Sequence, residues 1–151
     1  MHIRRRPSVV LLTALICVLL PLAVSAVNSQ DFGEHVVHFN ALITNTLPPS
    51  VTRQYGITRS QNRAMLNVTV LKKVMGMSGE PVHASIKASA VNLTGQRKHW
   101  TLRKIEEGNA IYYIAEFRVA NEETLDFDIR VQPEGLTRTL RVRFRRQFYT
   151  R

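Results

Sequence analysis

Apolar residues recur at every second position through most of this chain, the period of a strand with one face buried and one face wet. Val37, Phe39, Ala41 and Ile43 alternate with His38, Asn40 and Leu42, predicting a first strand near 35–43. Ala64, Leu66, Val68 and Val70 alternate with Met65, Asn67 and Thr69 for a second. Val82, Ala84, Ile86, Ala88 and Ala90 line one side of a third, and Trp100 with Leu102 marks a fourth near 98–105. Ile111, Tyr113, Ala115, Phe117 and Val119 make a fifth, opposite Tyr112, Glu116 and Arg118. Leu125, Phe127, Ile129 and Val131 make a sixth, and Leu140, Val142 and Phe144 begin a seventh. Helical periodicity is scarce.

Turn chemistry separates these runs: Met75-Gly76-Met77-Ser78-Gly79-Glu80-Pro81, Asn92-Leu93-Thr94-Gly95-Gln96, Glu106-Glu107-Gly108-Asn109, Ala120-Asn121-Glu122-Glu123 and Pro133-Glu134-Gly135. Seven short strands, each with one apolar face, suit two antiparallel sheets packed face to face. The expected fold is all-β, a seven-stranded antiparallel immunoglobulin-like β-sandwich. One segment breaks the pattern. Pro48-Pro49 opens it and Gly56 closes it, which predicts a short helix or turn near 49–55.

Ahead of the strands lies a targeting segment. Arg4, Arg5 and Arg6 form a positive start, an apolar run follows from Val9 to Val24, and Val24-Ser25-Ala26 supplies the small residues of a cleavage site. A secretory signal peptide is expected at 1–26, cut after Ala26. A flexible mature N-terminus at 27–34 and a single domain at 35–149 follow. Cys17 lies inside the signal and Ile16 before it is too large for a lipoprotein site, so the mature chain has no cysteine. That excludes disulfides, thiol catalysis and zinc–thiolate sites. Removing the three leader arginines from 21 basic residues leaves 18 against 11 acidic ones, a mature net charge of +7. Such a charge favours encounters with anionic surfaces.

Several short runs taken together resemble one family. They are Tyr55-Gly56-Ile57-Thr58-Arg59-Ser60, Asn92-Leu93-Thr94-Gly95-Gln96, Glu107-Gly108-Asn109-Ala110-Ile111-Tyr112-Tyr113-Ile114-Ala115-Glu116-Phe117, Asn121-Glu122-Glu123-Thr124-Leu125 and Gln147-Phe148-Tyr149. The family is a group of small exported proteobacterial proteins known as domain of unknown function 4426, and the similarity runs from about His35 to Tyr149. The resemblance implies a Gram-negative periplasmic protein. It brings no activity and no catalytic residues to carry over.

No enzyme is expected, because no nucleophile, base and orienting group stand at a recognisable spacing. Ser60 lies beside Arg59 with no histidine close in sequence. The adjacent pairs Glu106-Glu107 and Glu122-Glu123 point to opposite faces if they lie on strands. No cofactor is expected either. His35 and His38 fall on opposite faces of one strand, which leaves Met75, Met77 and His83 as the soft donors that copper would use. Sandwich-end loops are where a rigid scaffold places contacts, so Tyr55, Arg59, Ser60, Asn92 and Gln96 are candidate ligand or partner residues. The turn chemistry of Asn92 and Gly95 offers a structural alternative.

The closing stretch, Thr137 to Arg151, carries arginine at nearly every second position. A strand there gathers Leu140, Val142, Phe144 and Phe148 on one side and Arg141, Arg143, Arg145 and Gln147 on the other, with only Arg146 misplaced. If Glu134-Gly135 centres a tight hairpin, Ile129 faces Leu140, Phe127 faces Val142 and Leu125 faces Phe144. Asp128 then meets Arg141 and Asp126 meets Arg143. Arg145, Arg146 and Arg151 stay unpaired, with Arg138 near the turn. The leading functional expectation is a periplasmic binding or accessory module that contacts another envelope protein through loops or an edge strand. The first alternative is a polyanion or membrane-surface binder using Arg138, Arg143, Arg145, Arg146 and Arg151, with no specific nucleic acid. A small enzyme built around Tyr55, Arg59 and Ser60 ranks last.

Overall fold

The computed structural model describes residues 28–151. The expected signal peptide at 1–26, with Cys17 and the cleavage after Ala26, lies outside the described residues. In chain order the strands are β1 (Asn28–Asp31), β2 (His35–Ile43), β3 (Arg63–Lys72), β4 (Glu80–Pro81), β5 (Ala84–Asn92), β6 (Arg97–Thr101), β7 (Arg103–Glu107), β8 (Ala110–Arg118), β9 (Glu123–Pro133) and β10 (Leu140–Phe148). All pair antiparallel, in a six-stranded sheet ordered β1-β2-β3-β8-β7 with β4 added on β3, and a four-stranded sheet ordered β10-β9-β5-β6.

The seven expected strands are all present, and the alternation explains each. Val37, Leu66, Val68, Leu125, Ile129, Val131 and Val142 are fully buried between the sheets, while their neighbours in sequence face outward. The fourth expected strand divides at Leu102. This residue is buried and its N–H donates to the Ile86 carbonyl, so the chain leaves one sheet as β6 and enters the other as β7. A strand that switches sheets turns the corner of a sandwich in this way. Residues 28–31, within the stretch expected to be flexible, instead pair with Val36–Phe39 as β1.

Six rings cluster in the core. Phe127 stacks on Phe144 at 4.6 Å with a 3° interplanar angle, and Phe117, Phe148 and Trp100 pack around it, while Phe39 meets Phe144 at 4.8 Å.

Between β2 and β3 the chain crosses the outer face of the six-stranded sheet. A single turn of 3-10 helix at Thr44–Thr46 leads into α1 (Pro49–Gln54). Pro49 stands at the first helical turn, where a missing N–H does no harm. Gly56 takes φ +62° after the helix, and the Ile57 N–H caps back onto the Thr52 carbonyl. The segment covers Ile57, Met65 and Ile114, a small second core on the outer face.

The β9–β10 hairpin differs from the expected one in register. Leu140 lies opposite Val131, Val142 opposite Ile129 and Phe144 opposite Phe127, two residues from the expected pairing. The connection spans 134–139 and is not a tight turn at Glu134-Gly135. A shift of two preserves every face, because side chains alternate with period two. The alternation therefore fixes the parity of a register and leaves its value to the loop. Among the described residues no helix is long and apolar enough to cross a membrane.

Candidate functional site

The sequence-derived loop candidates do not converge. Tyr55 ends α1 and its hydroxyl donates to a Glu107 carboxylate oxygen on β7; Gln54 Nε2 donates to the other oxygen at 3.3 Å. That bond to Glu107 raises the phenol pKa above its ordinary value. Arg59 is spent on the Leu47 carbonyl at 3.2 Å, and the Ser60 hydroxyl accepts the Asn62 N–H. Asn92 and Gln96 satisfy one another. Asn92 Oδ1 accepts from the N–H groups of Thr94 and Gln96 and from the Thr94 hydroxyl, while its amide nitrogen donates to Gln96 Oε1 at 2.8 Å. Gly95 at φ +84° completes this self-bonded turn.

The copper candidates lie at the surface. Met75 is fully exposed and Met77 is 65% exposed in the β3–β4 loop. His83 is instead engaged by Glu106 at 3.6 Å, with the Lys104 ammonium 3.5 Å from its Nδ1. Among the described residues no three His, Cys, Asp or Glu side chains group to hold an ion. Glu106 also bonds the Lys104 ammonium at 2.8 Å, so His83 sits at the surface between a carboxylate and an ammonium.

The arginines of β10 sort differently from the expected hairpin. Arg141 makes a forked bond to Asp128, as expected, although the two stand diagonally and not opposite. Asp126 is held by Arg145, through Nε at 2.6 Å and a terminal nitrogen at 2.8 Å, and not by Arg143. Arg145, expected to be unpaired, is therefore bound, and Arg143 reaches Asp128 only at 3.7 Å. The cause is the two-residue register shift. Arg138 donates to the Phe32 carbonyl at 2.8 Å and so ties the hairpin to the end of β1. Arg146 and Arg151 are exposed and make no ion pair among the described residues.

Sheet order brings together a charge pattern that chain order conceals. On the outer face of the four-stranded sheet Arg141 lies opposite Arg130, and Arg130 lies opposite Lys87. The next rows run Arg143–Asp128–Ser89–His99 and Arg145–Asp126–Val91–Arg97. This face thus carries Lys87, Arg97, Arg130, Arg141, Arg143 and Arg145 against Asp126 and Asp128. Like charges placed directly opposite weaken a sheet; in the Arg141–Arg130–Lys87 row Asp128 compensates Arg141, while Arg130 and Lys87 make no ion pair among the described residues. Arg130 and Lys87 were missed in the sequence because their kinship depends on the order β10-β9-β5.

Hydrogen bonds from Arg145 and Arg141 hold the Asp126 and Asp128 carboxyls below the usual carboxylate range. Burial pushes Glu123 up, but the bonds from Lys98 and the Ala120 N–H outweigh it and its pKa is lowered too. A carboxyl with a depressed folded pKa stabilises fully above its unfolded value, about pH 4, and loses that contribution as the pH falls through the folded value. The thermal midpoint is expected to stay level from pH 7 to 5 and to fall below about pH 4. Circular dichroism melts across this range test it, and Asp128→Asn should flatten the acid limb.

Residues 29–151 match the family model described as domain of unknown function DUF4426. The chain belongs to this family. A crystal structure of a DUF4426 family protein from Pseudomonas aeruginosa is 31% identical, with a TM-score of 0.70 over 81% of this chain and 94% of that one. FetP of uropathogenic Escherichia coli strain F11 is 12% identical, with a TM-score of 0.58 over 81% of this chain and 93% of FetP. Copper-reconstituted P19 of Campylobacter jejuni is 11% identical, with a TM-score of 0.54 over 80% and 92%. At those identities FetP and P19 share the fold with this DUF4426 chain. No curated protein matches it significantly.

Proposed function

We propose that this DUF4426 protein is a non-enzymatic binding module of the Gram-negative periplasm, exported by a signal cleaved after Ala26, which docks on an anionic membrane surface. The supporting observation is the row Arg141–Arg130–Lys87, three cations side by side across three strands, of which Arg130 and Lys87 make no ion pair among the described residues. The face around it spans four strands, about 14 Å at roughly 4.8 Å per strand. It presents no large apolar side chain: its outward residues are charged or polar apart from Val91. A flat cationic plate matches a plane of lipid phosphates better than a groove, and each Lys or Arg near such a plane contributes about 1 kcal/mol.

This reading moves the polyanion site from the C-terminal end to the sheet face. It also ranks the face above the edge. β10 is a nine-residue edge strand, but Arg146 takes the core-side place between Phe144 and Phe148 in its alternation. An exposed charge on an edge strand, breaking its alternation, discourages strand addition.

The test is sedimentation of the mature chain with vesicles of phosphatidylcholine alone or with phosphatidylglycerol. Retention is expected on the anionic vesicles only, falling steeply with salt. Arg130→Glu should weaken it at least tenfold, and Arg151→Glu by less. Because Arg130→Glu places a carboxylate between Arg141 and Lys87, the melting point should hold or rise, so lost binding is not lost folding. Equal retention on neutral vesicles, or binding indifferent to Arg130→Glu, overturns the proposal; salt-sensitive binding to duplex DNA in place of vesicles assigns the face to nucleic acid.

A further inference from the structure

On the opposite side of the sandwich, the crossing segment does not lie flush on the six-stranded sheet. A crevice of about 240 Å³ runs beneath α1, walled by Leu42, Leu47, Val51, Met65, Tyr112 and Ile114. Tyr55, Glu107 and Tyr112 add polar groups to the lining, and Asn67 adds an unpaired one. Asn67 stands in the middle of β3 between Asn40 and Ile114, and its side-chain oxygen is buried without any hydrogen-bond partner. A buried acceptor left unpaired is costly, and Asn67 is one of the residues that line the crevice. The mouth is held by Tyr55 and Gln54, both bonded to Glu107, with Arg103 donating to the Tyr55 carbonyl at 2.5 Å. The helix above has only six residues, and this polar latch ties its end to β7.

We propose that the crevice is a binding site for a small neutral molecule with a short hydrocarbon body and a hydrogen-bond donor, such as a primary amide or an alcohol, whose donor pairs with Asn67. The apolar walls take the body and exclude a charged head. The volume sets the size: at roughly 30 Å³ per water-sized group, the space admits about eight non-hydrogen atoms. The unpaired oxygen sets the polarity, since it accepts and does not donate. The site shares no residue with the cationic sheet face, so each stands or falls alone.

Hexanamide has eight non-hydrogen atoms and serves as the probe; methyl hexanoate has a similar body and no donor. Methyl resonances of Met65 and Ile114 in the mature protein should shift saturably with hexanamide, with at least fivefold weaker affinity for methyl hexanoate. Val51→Trp fills the crevice and should abolish the shifts, whereas Asn67→Leu should erase the preference for the amide. If Asn67→Leu fails to fold, Val51→Trp and the ester comparison still decide. Absent shifts in the wild-type protein, equal affinities for the two probes, or shifts that survive Val51→Trp overturn the assignment.

Discussion

Replacing Phe127 by alanine should lower the thermal midpoint by about 12–20 °C. The side chain is 2% exposed and is the hub of the ring cluster, stacked on Phe144 and within 6.4 Å of Trp100, Phe117 and Phe148. Its loss removes transferable apolar area and leaves a cavity that four rigid rings cannot fill, because moving one ring breaks its contact with the others. Phenylalanine-to-alanine changes in cores cost about 3–5 kcal/mol. For a domain of this size each kcal/mol is worth about 4 °C. Total stability of such domains is about 5–15 kcal/mol, so the variant retains a small margin. Calorimetry checks the value. A fall below about 5 °C would mean that the cluster repacks and that the sheets are held elsewhere.

Phe127 also shows what the sequence made legible. Its place in a period-two run puts it on the core side, and the structure agrees for every strand that was expected. The partner across the hairpin was not legible. Phe144 faces Phe127 only because the connection at 134–139 is longer than a tight turn, and nothing local states that length. The partner of Asp126 moved with it, from Arg143 to Arg145, while Arg141 kept Asp128. Met65 and Ile114 show a second limit. The alternation assigns both to the wet side, yet they are 6% and 3% exposed because the crossing segment with α1 lies over them. A covered outer face needs a nonlocal cap, and period two reads only the strand. The cationic row is invisible for the same reason, since Lys87, Arg130 and Arg141 become neighbours through sheet order. Asn92 and Gln96 were visible as a polar loop, and their partners turned out to be each other.

One buried hydroxyl also holds the crossing segment, and this sets the second large effect. Thr44 is fully buried at the end of β2, where its Oγ1 accepts the Ser60 N–H at 3.0 Å. The same hydroxyl lies 2.8 Å from the Thr58 carbonyl and 3.1 Å from that of Ser60, and its one proton is donated there. Thr44→Val keeps the shape and removes both bonds. The Ser60 N–H then sits in a pocket with no acceptor, a loss of about 1–3 kcal/mol. The midpoint should drop by about 4–12 °C. Thr44→Ser retains the hydroxyl and should recover most of it. Hydrogen exchange separates a local from a global effect: amides of Ile57 and Ser60 should exchange faster in Thr44→Val while those of Leu66 and Ile129 keep their protection relative to the new global stability. Uniform acceleration would place Thr44 in the general core. Selective release of 57–60 would make it the tether that holds the segment over Met65 and Ile114, and with it the crevice beneath α1.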